Sequence, residues 1–162
     1  MSDRYLRIYL NDQLALGTAG RELARRSARA NAGSETGAVL EEVARQVTAD
    51  VLTLEGIMQQ LGAPRSRVKP LLATLGERAG RLKLNGSLRE YSPLSRFLEL
   101  DFLLIGLDAK RQLWETLRDL AALPARLPGI DFDELIARAG GQRALLEPSW
   151  VQAGHVALGE LG

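Results

Sequence analysis

Apolar residues recur at spacings of three and four along four long stretches of the chain, the pattern of helices that bury one face. In the first stretch Leu6, Tyr9, Leu10, Leu16, Ala19, Leu23 and Ala30 keep that rhythm and predict a helix over residues 3–32. Ser2 or Asp3 can cap its start, Arg25, Arg26 and Arg29 suit the negative end of its dipole, and Gly33 stops it. Leu40, Val43, Val47, Leu54, Ile57 and Leu61 predict a second helix over 35–61, closed by Gly62 and Pro64. Asp50 falls inside that apolar seam. The link between the two helices is short, which predicts an antiparallel hairpin.

The third stretch opens Ser92-Pro93, a cap followed by proline at the first helical position, and predicts a helix over 93–123. Its first half, Phe97 to Leu107, is apolar nearly all the way round, so it is expected to be buried on every side. Glu99 and Asp101 nevertheless sit within it, and carboxylates in a buried helix are paired, neutralised or used. Trp114, Leu117 and Ala121 extend the apolar face until Pro124, Pro128 and Gly129 break it. Asp131-x-x-Glu134 then resembles a capping box, with Ile130 placed to staple onto Leu135. Phe132, Leu135, Ile136, Ala139, Leu146 and Trp150 predict a fourth helix over 131–147, ended or kinked by Pro148. Gly140-Gly141 inside it costs on the order of 2 kcal/mol relative to two alanines. Residues 64–91 form a long connection between the second and third helices, and Val68, Leu71, Leu72, Leu75, Ala79 and Leu82 predict a short helix in it over about 66–82.

Four even helices of this length predict an all-α four-helix bundle, a single domain over 1–162. A long second connection lets the chain cross the length of the bundle, so that the third helix runs parallel to the second. In helix number, helix length and this single crossover the chain resembles the ferritin-like superfamily over essentially its whole length. That resemblance implies two hairpins around a central di-iron or di-manganese site, with a Glu from two helices and Glu-x-x-His from the other two. The chain departs from this motif, because no Glu-x-x-His occurs. Glu22 and Glu99 can stand for the carboxylates of the first and third helices. Glu55 is followed by Met58 where His is wanted, Glu134 by Ala137 and Glu147 by Trp150. Glu55 also lies roughly 17 Å or more along the axis from Glu22 and Glu99, at about 1.5 Å per residue. Glu42 fits that level better, but Arg45 then takes the histidine place.

Composition narrows the chemistry. The 162 residues include no cysteine and one histidine, which removes disulfides, zinc–thiolate sites, thiol nucleophiles and, within one chain, a multi-histidine metal site. No apolar run reaches membrane-spanning length and the N-terminus has no apolar signal region, so a soluble cytoplasmic protein is expected. The preference for Arg over Lys hints at a GC-rich bacterial genome. Between Gly62 and Arg96 eight basic residues face two acidic ones, a net of +6, which leaves −5 on the rest of the chain.

These features set the expectations. The leading one is a non-enzymatic structural or partner-binding bundle, a homodimer, with no intact di-iron site and no cofactor. Asp101 is expected to bond a buried arginine or tyrosine, Asp50 to meet arginines of the first helix, Glu22 to pair with Arg26 and Glu99 with Arg96. His155 belongs to a frayed end, and Trp114 and Trp150 to the core or a subunit contact. One alternative is a metal oxidase or storage protein, with iron or manganese held by Glu22, Glu55, Glu99 and Asp101. Another is a binder of polyanions (nucleic acid or an anionic membrane surface) through Arg65, Arg67, Lys69, Arg78, Arg81, Lys83 and Arg89.

Overall fold

The computed structural model describes residues 3–65 and 91–159, and no strand occurs among them. The short helix expected over 66–82 lies outside the described residues, as do Arg67, Lys69, Arg78, Arg81, Lys83 and Arg89. The chain folds as an all-α four-helix bundle: α1 (Asp3–Ala30), α2 (Glu35–Gln60), α3 (Pro93–Glu115) and α4 (Phe132–Leu158).

Local chemistry sets most helix ends. The turn after α1 needs Gly33 at φ 82°, and Ser34 caps α2 by accepting a hydrogen bond from the Gly37 amide at 3.0 Å. A Cβ on Gly37 would stand 2.1 Å from the Asn31 carbonyl oxygen, so this hairpin closes only around glycine. Ser92 accepts from the Ser95 amide at 3.1 Å with Pro93 behind it, and Asp131 accepts from the Glu134 amide at 2.9 Å. Beyond α3 the chain makes one π-helical turn, Thr116–Leu120, and Ala122 then takes a left-handed conformation, φ 49°, before a short 3-10 turn at Leu123–Ala125.

Contacts between helices fix the topology. α1 packs along α2 and α3 along α4, while α1 also borders α3 and α2 borders α4. Leu40 and Val43, early in α2, share a core cluster with Leu100 and Leu103, early in α3. Ile57 and Met58, late in α2, share another with Leu113 and Leu117, late in α3 and just beyond it. So α2 and α3 run in the same direction, on opposite corners of the bundle, and every pair of neighbours is antiparallel. At one end Asn31 donates to the Tyr91 hydroxyl at 3.0 Å; at the other Asn11 donates to the Pro64 carbonyl at 3.2 Å.

Three expectations need correcting. α4 does not stop near residue 147 but continues through Pro148 to Leu158. Pro148 and Ala144 both face water, so the carbonyl that loses its helical donor can be solvated. His155 accordingly lies within the last turns of a helix rather than in a frayed end. Finally, Phe97 to Leu107 is not buried on every side: Leu100, Leu103, Leu104 and Leu107 face the core, but Phe102 and Ile105 face outward, 48% and 58% exposed.

Candidate functional site

The core comes in two apolar clusters, and a polar layer separates them. On α2 the upper cluster ends at Val47 and the lower begins at Val51; Asp50 lies between them, 2% exposed. On α3 the same boundary falls between Leu107 and Leu113, and Lys110 occupies it. On α4 it falls between Ala139 and Leu146, where Gln142 is 1% exposed. α1 contributes Gly17 near this level, which packs toward the Val51 side chain.

The layer closes on the Asp50 carboxylate. Lys110 Nζ donates to Oδ2 at 2.6 Å and Gln142 Nε2 donates to the same oxygen at 2.8 Å. Arg138, one turn before Gln142 on α4, donates through Nη2 to Oδ1. Lys110 also donates to the Gln142 side-chain oxygen. One carboxylate therefore faces two cations drawn from two helices of the other hairpin. Burial pushes the Lys110 ammonium below its ordinary pKa, a larger effect than the upward pull of Asp50. Arg138 Nε is buried with no hydrogen-bond partner.

A second polar cluster lies near the end where α3 begins. Glu99, on α3, accepts from Arg26 at 2.8 Å and Ser27 at 2.7 Å, both on α1, and from the Tyr91 hydroxyl at 2.9 Å. Burial, partly offset by the Asn31 hydrogen bond and reinforced by the Glu99 charge, pushes the Tyr91 phenol up to about 12. Each hairpin thus inserts one carboxylate into the other: Asp50 of the first between α3 and α4, Glu99 of the second against α1.

The proposed ligand residues are not brought together. Glu22 is on the surface, paired with Arg21 at 3.1 Å and Arg25 at 3.4 Å, not with Arg26. Glu55 is bound to Arg65, the one polyanion candidate among the described residues. Glu99 takes Arg26 in place of Arg96, and Asp101 accepts from Trp150 Nε1 at 3.1 Å instead of from an arginine or tyrosine. Asp50 meets no arginine of α1. Trp114 is buried in the core, as expected, and Trp150 packs partly buried against Phe97, ring centroids 6.0 Å apart.

The donor set at mid-bundle does not fit a di-metal centre. Both Asp50 oxygens are taken by donors, and Lys110 and Arg138 would repel a divalent cation. Among the described residues no group of three or more His, Cys, Asp or Glu side chains is placed to hold a metal ion. No helix there is long and apolar enough to cross a membrane. Lys110, Arg138 and Gln142 were not anticipated from the sequence. Their signal is present, since Lys110 stands three residues from both Leu107 and Leu113 and Gln142 stands between Ala139 and Leu146. No protein-family model, curated protein or solved structure matches the chain.

Proposed function

We propose that this chain is a non-enzymatic helical bundle that works by binding a partner and has no di-metal centre. The observation that carries the reading is the occupant of the bundle centre. The chemistry that a ferritin-like oxidase would need there is replaced by an ion cluster that closes on itself: Asp50, Lys110, Arg138 and Gln142. A carboxylate saturated by three donors is poorly placed to act as a base or as a ligand. The candidate ligands Glu22, Glu55, Glu99 and Asp101 are each held by other side chains. The proper test is elemental analysis of protein purified without chelators and exposed to Fe(II) and Mn(II). The expected result is no stoichiometric metal. About two ions per chain, lost in Glu99→Ala, would overturn the reading.

A further inference from the structure

On α3, Leu94, Leu98, Phe102 and Ile105 recur at i, i+4, i+8 and i+11, on the side away from Leu100, Leu103 and Leu107. The strip is about 17 Å long at 1.5 Å per residue, three turns of helix. Trp150 bonds Asp101 and Gly154 packs on the Phe97 ring, so the antiparallel register sets Val151 beside Leu98 and Leu158 beside Leu94. Leu94, Phe102, Ile105, Val151 and Leu158 each leave about half of the side chain in water. Carboxylates lie along the same seam. Asp108 and Glu147 share one guanidinium, Arg143, at 3.1 and 3.7 Å. Asp101 meets no cation and accepts only from the Trp150 indole N–H among the described residues. Arg96 is turned away, over the Tyr91 ring, and Glu99 faces α1. With His155 counted as neutral, the face sets three carboxylates against one guanidinium, a net of −2.

We propose that this face binds a cationic amphipathic helix of another protein, one with Lys or Arg interleaved among its apolar residues. The inference rests on the partner-binding reading above and gives the partner its chemistry. Charge decides the choice. A nucleic acid or an anionic lipid surface would be repelled. A second copy of the chain would set the same carboxylates against each other across a two-fold axis. A purely apolar partner would strip water from Asp101 and offer it no charge in return. Cations brought to the level of Asp101, Asp108 and Glu147 answer the surplus, and their aliphatic stems can lie along Leu94, Phe102 and Ile105. Shape is consistent with this choice. A third helix laid along the α3–α4 seam meets the three-turn strip with apolar anchors of its own at i, i+3, i+4 and i+7.

Fluorescence anisotropy of labelled synthetic peptides, titrated with the full chain, tests this. The probe is a leucine–lysine amphipathic peptide of about 14 residues, long enough to cover the strip, and the control is its leucine–glutamate counterpart. The lysine peptide is expected to bind and the glutamate peptide not to. Asp101→Asn/Asp108→Asn/Glu147→Gln should weaken binding ~10-fold at low salt, and Ile105→Asn/Val151→Asn by a similar factor, with circular dichroism as the folding control. Raising the salt to about 0.5 M should weaken binding to the wild type, a readout that requires no variant to fold. No binding of the lysine peptide at ~100 μM chain overturns the proposal, as does equal binding of the two peptides or binding that salt leaves unchanged. A wild-type dimer that Ile105→Asn/Val151→Asn breaks would give the face to a second copy, and co-sedimentation with phosphatidylcholine vesicles without peptide binding would give it to lipid; either overturns the proposal. Stoichiometric metal in the elemental analysis would sink the broader reading without touching this measurement. A metal-free chain that ignores the lysine peptide would sink only the cationic partner.

Discussion

Asp50→Ala should be among the most damaging substitutions in this chain, and Lys110→Met among the least damaging buried ones. Removing the carboxylate leaves Lys110 and Arg138 facing each other with no counter-charge between the two apolar clusters. Breaking a buried ion cluster in this way costs about 3–5 kcal/mol. A domain of this size is stable by roughly 5–15 kcal/mol, so the loss is about a fifth of the total or more. At roughly 2–4 °C per kcal/mol the melting temperature should fall by about 6–20 °C. Lys110→Met instead removes an ammonium that burial penalises and leaves Asp50 still held by Arg138 and Gln142. Its cost should stay under about 1.5 kcal/mol, because the two side chains are similar in volume. Replacing the whole layer, with Asp50→Leu, Lys110→Met, Arg138→Met and Gln142→Leu, should be neutral or stabilising. Urea unfolding followed through the fluorescence of Trp114, which is 1% exposed, gives each value. An Asp50→Ala cost below about 1 kcal/mol would show that the layer is hydrated rather than dry, and the reasoning would fail.

Three further outcomes follow from the same geometry. Stability against alkali should pass through a maximum near pH 10: with its folded pKa lowered, Lys110 sheds its proton in the folded chain first, so stability rises with pH up to its ordinary 10.5. Tyr91 acts in the opposite sense, because a phenol raised from 10.0 to about 12 loses its contribution as pH climbs between those values. A melting series over pH 8–12 checks both arms, since Lys110→Met should flatten the rise and Tyr91→Phe the fall. Gly37→Ala should destabilise by about 1–3 kcal/mol, because its methyl meets the Asn31 carbonyl, whereas Gly141→Ala enters open space and should add up to about 1 kcal/mol. A difference of urea midpoints decides the pair, and equal effects would contradict the hairpin geometry. Glu99→Leu should cost about 1.5–3 kcal/mol by stranding Ser27, which is fully buried, and half of that should return in Glu99→Gln; no loss in either variant would remove the second clasp from the account.

The helices were legible because their signals are local. Ser34, Ser92 and Asp131 cap where their residue types say they should, and the periodicity of α1 and α2 places both within two residues of their observed ends. Pro148 misled because its cost depends on whether the freed carbonyl can reach water, which a sequence does not show. Phe102 and Ile105 misled for a related reason. A run apolar all round reads as buried, and the same run on a corner helix of a bundle turns half of itself outward. The charge partners were the least legible. Arg26 has Glu22 one turn back and bonds Glu99 across the bundle instead, because a pair with the exposed Glu22 contributes little, whereas the largely shielded Glu99 carboxylate needs a compensating partner.

Asp50 ties these points to the functional reading. A di-metal bundle and this one share a requirement, a polar layer at mid-height that four helices must meet in register. In the metal case the ion satisfies the carboxylates. Here the satisfying groups are an ammonium, a guanidinium and an amide, and they come from α3 and α4, the hairpin that Asp50 does not belong to. A layer of this kind fixes how two hairpins meet, since sliding either by one turn would strand a charge in the core. It supplies alignment without an exchangeable ligand. With the centre committed to alignment, the proposed partner-binding role falls to the outer surface, where Leu52, Phe102, Ile105 and Val151 are among the exposed apolar side chains.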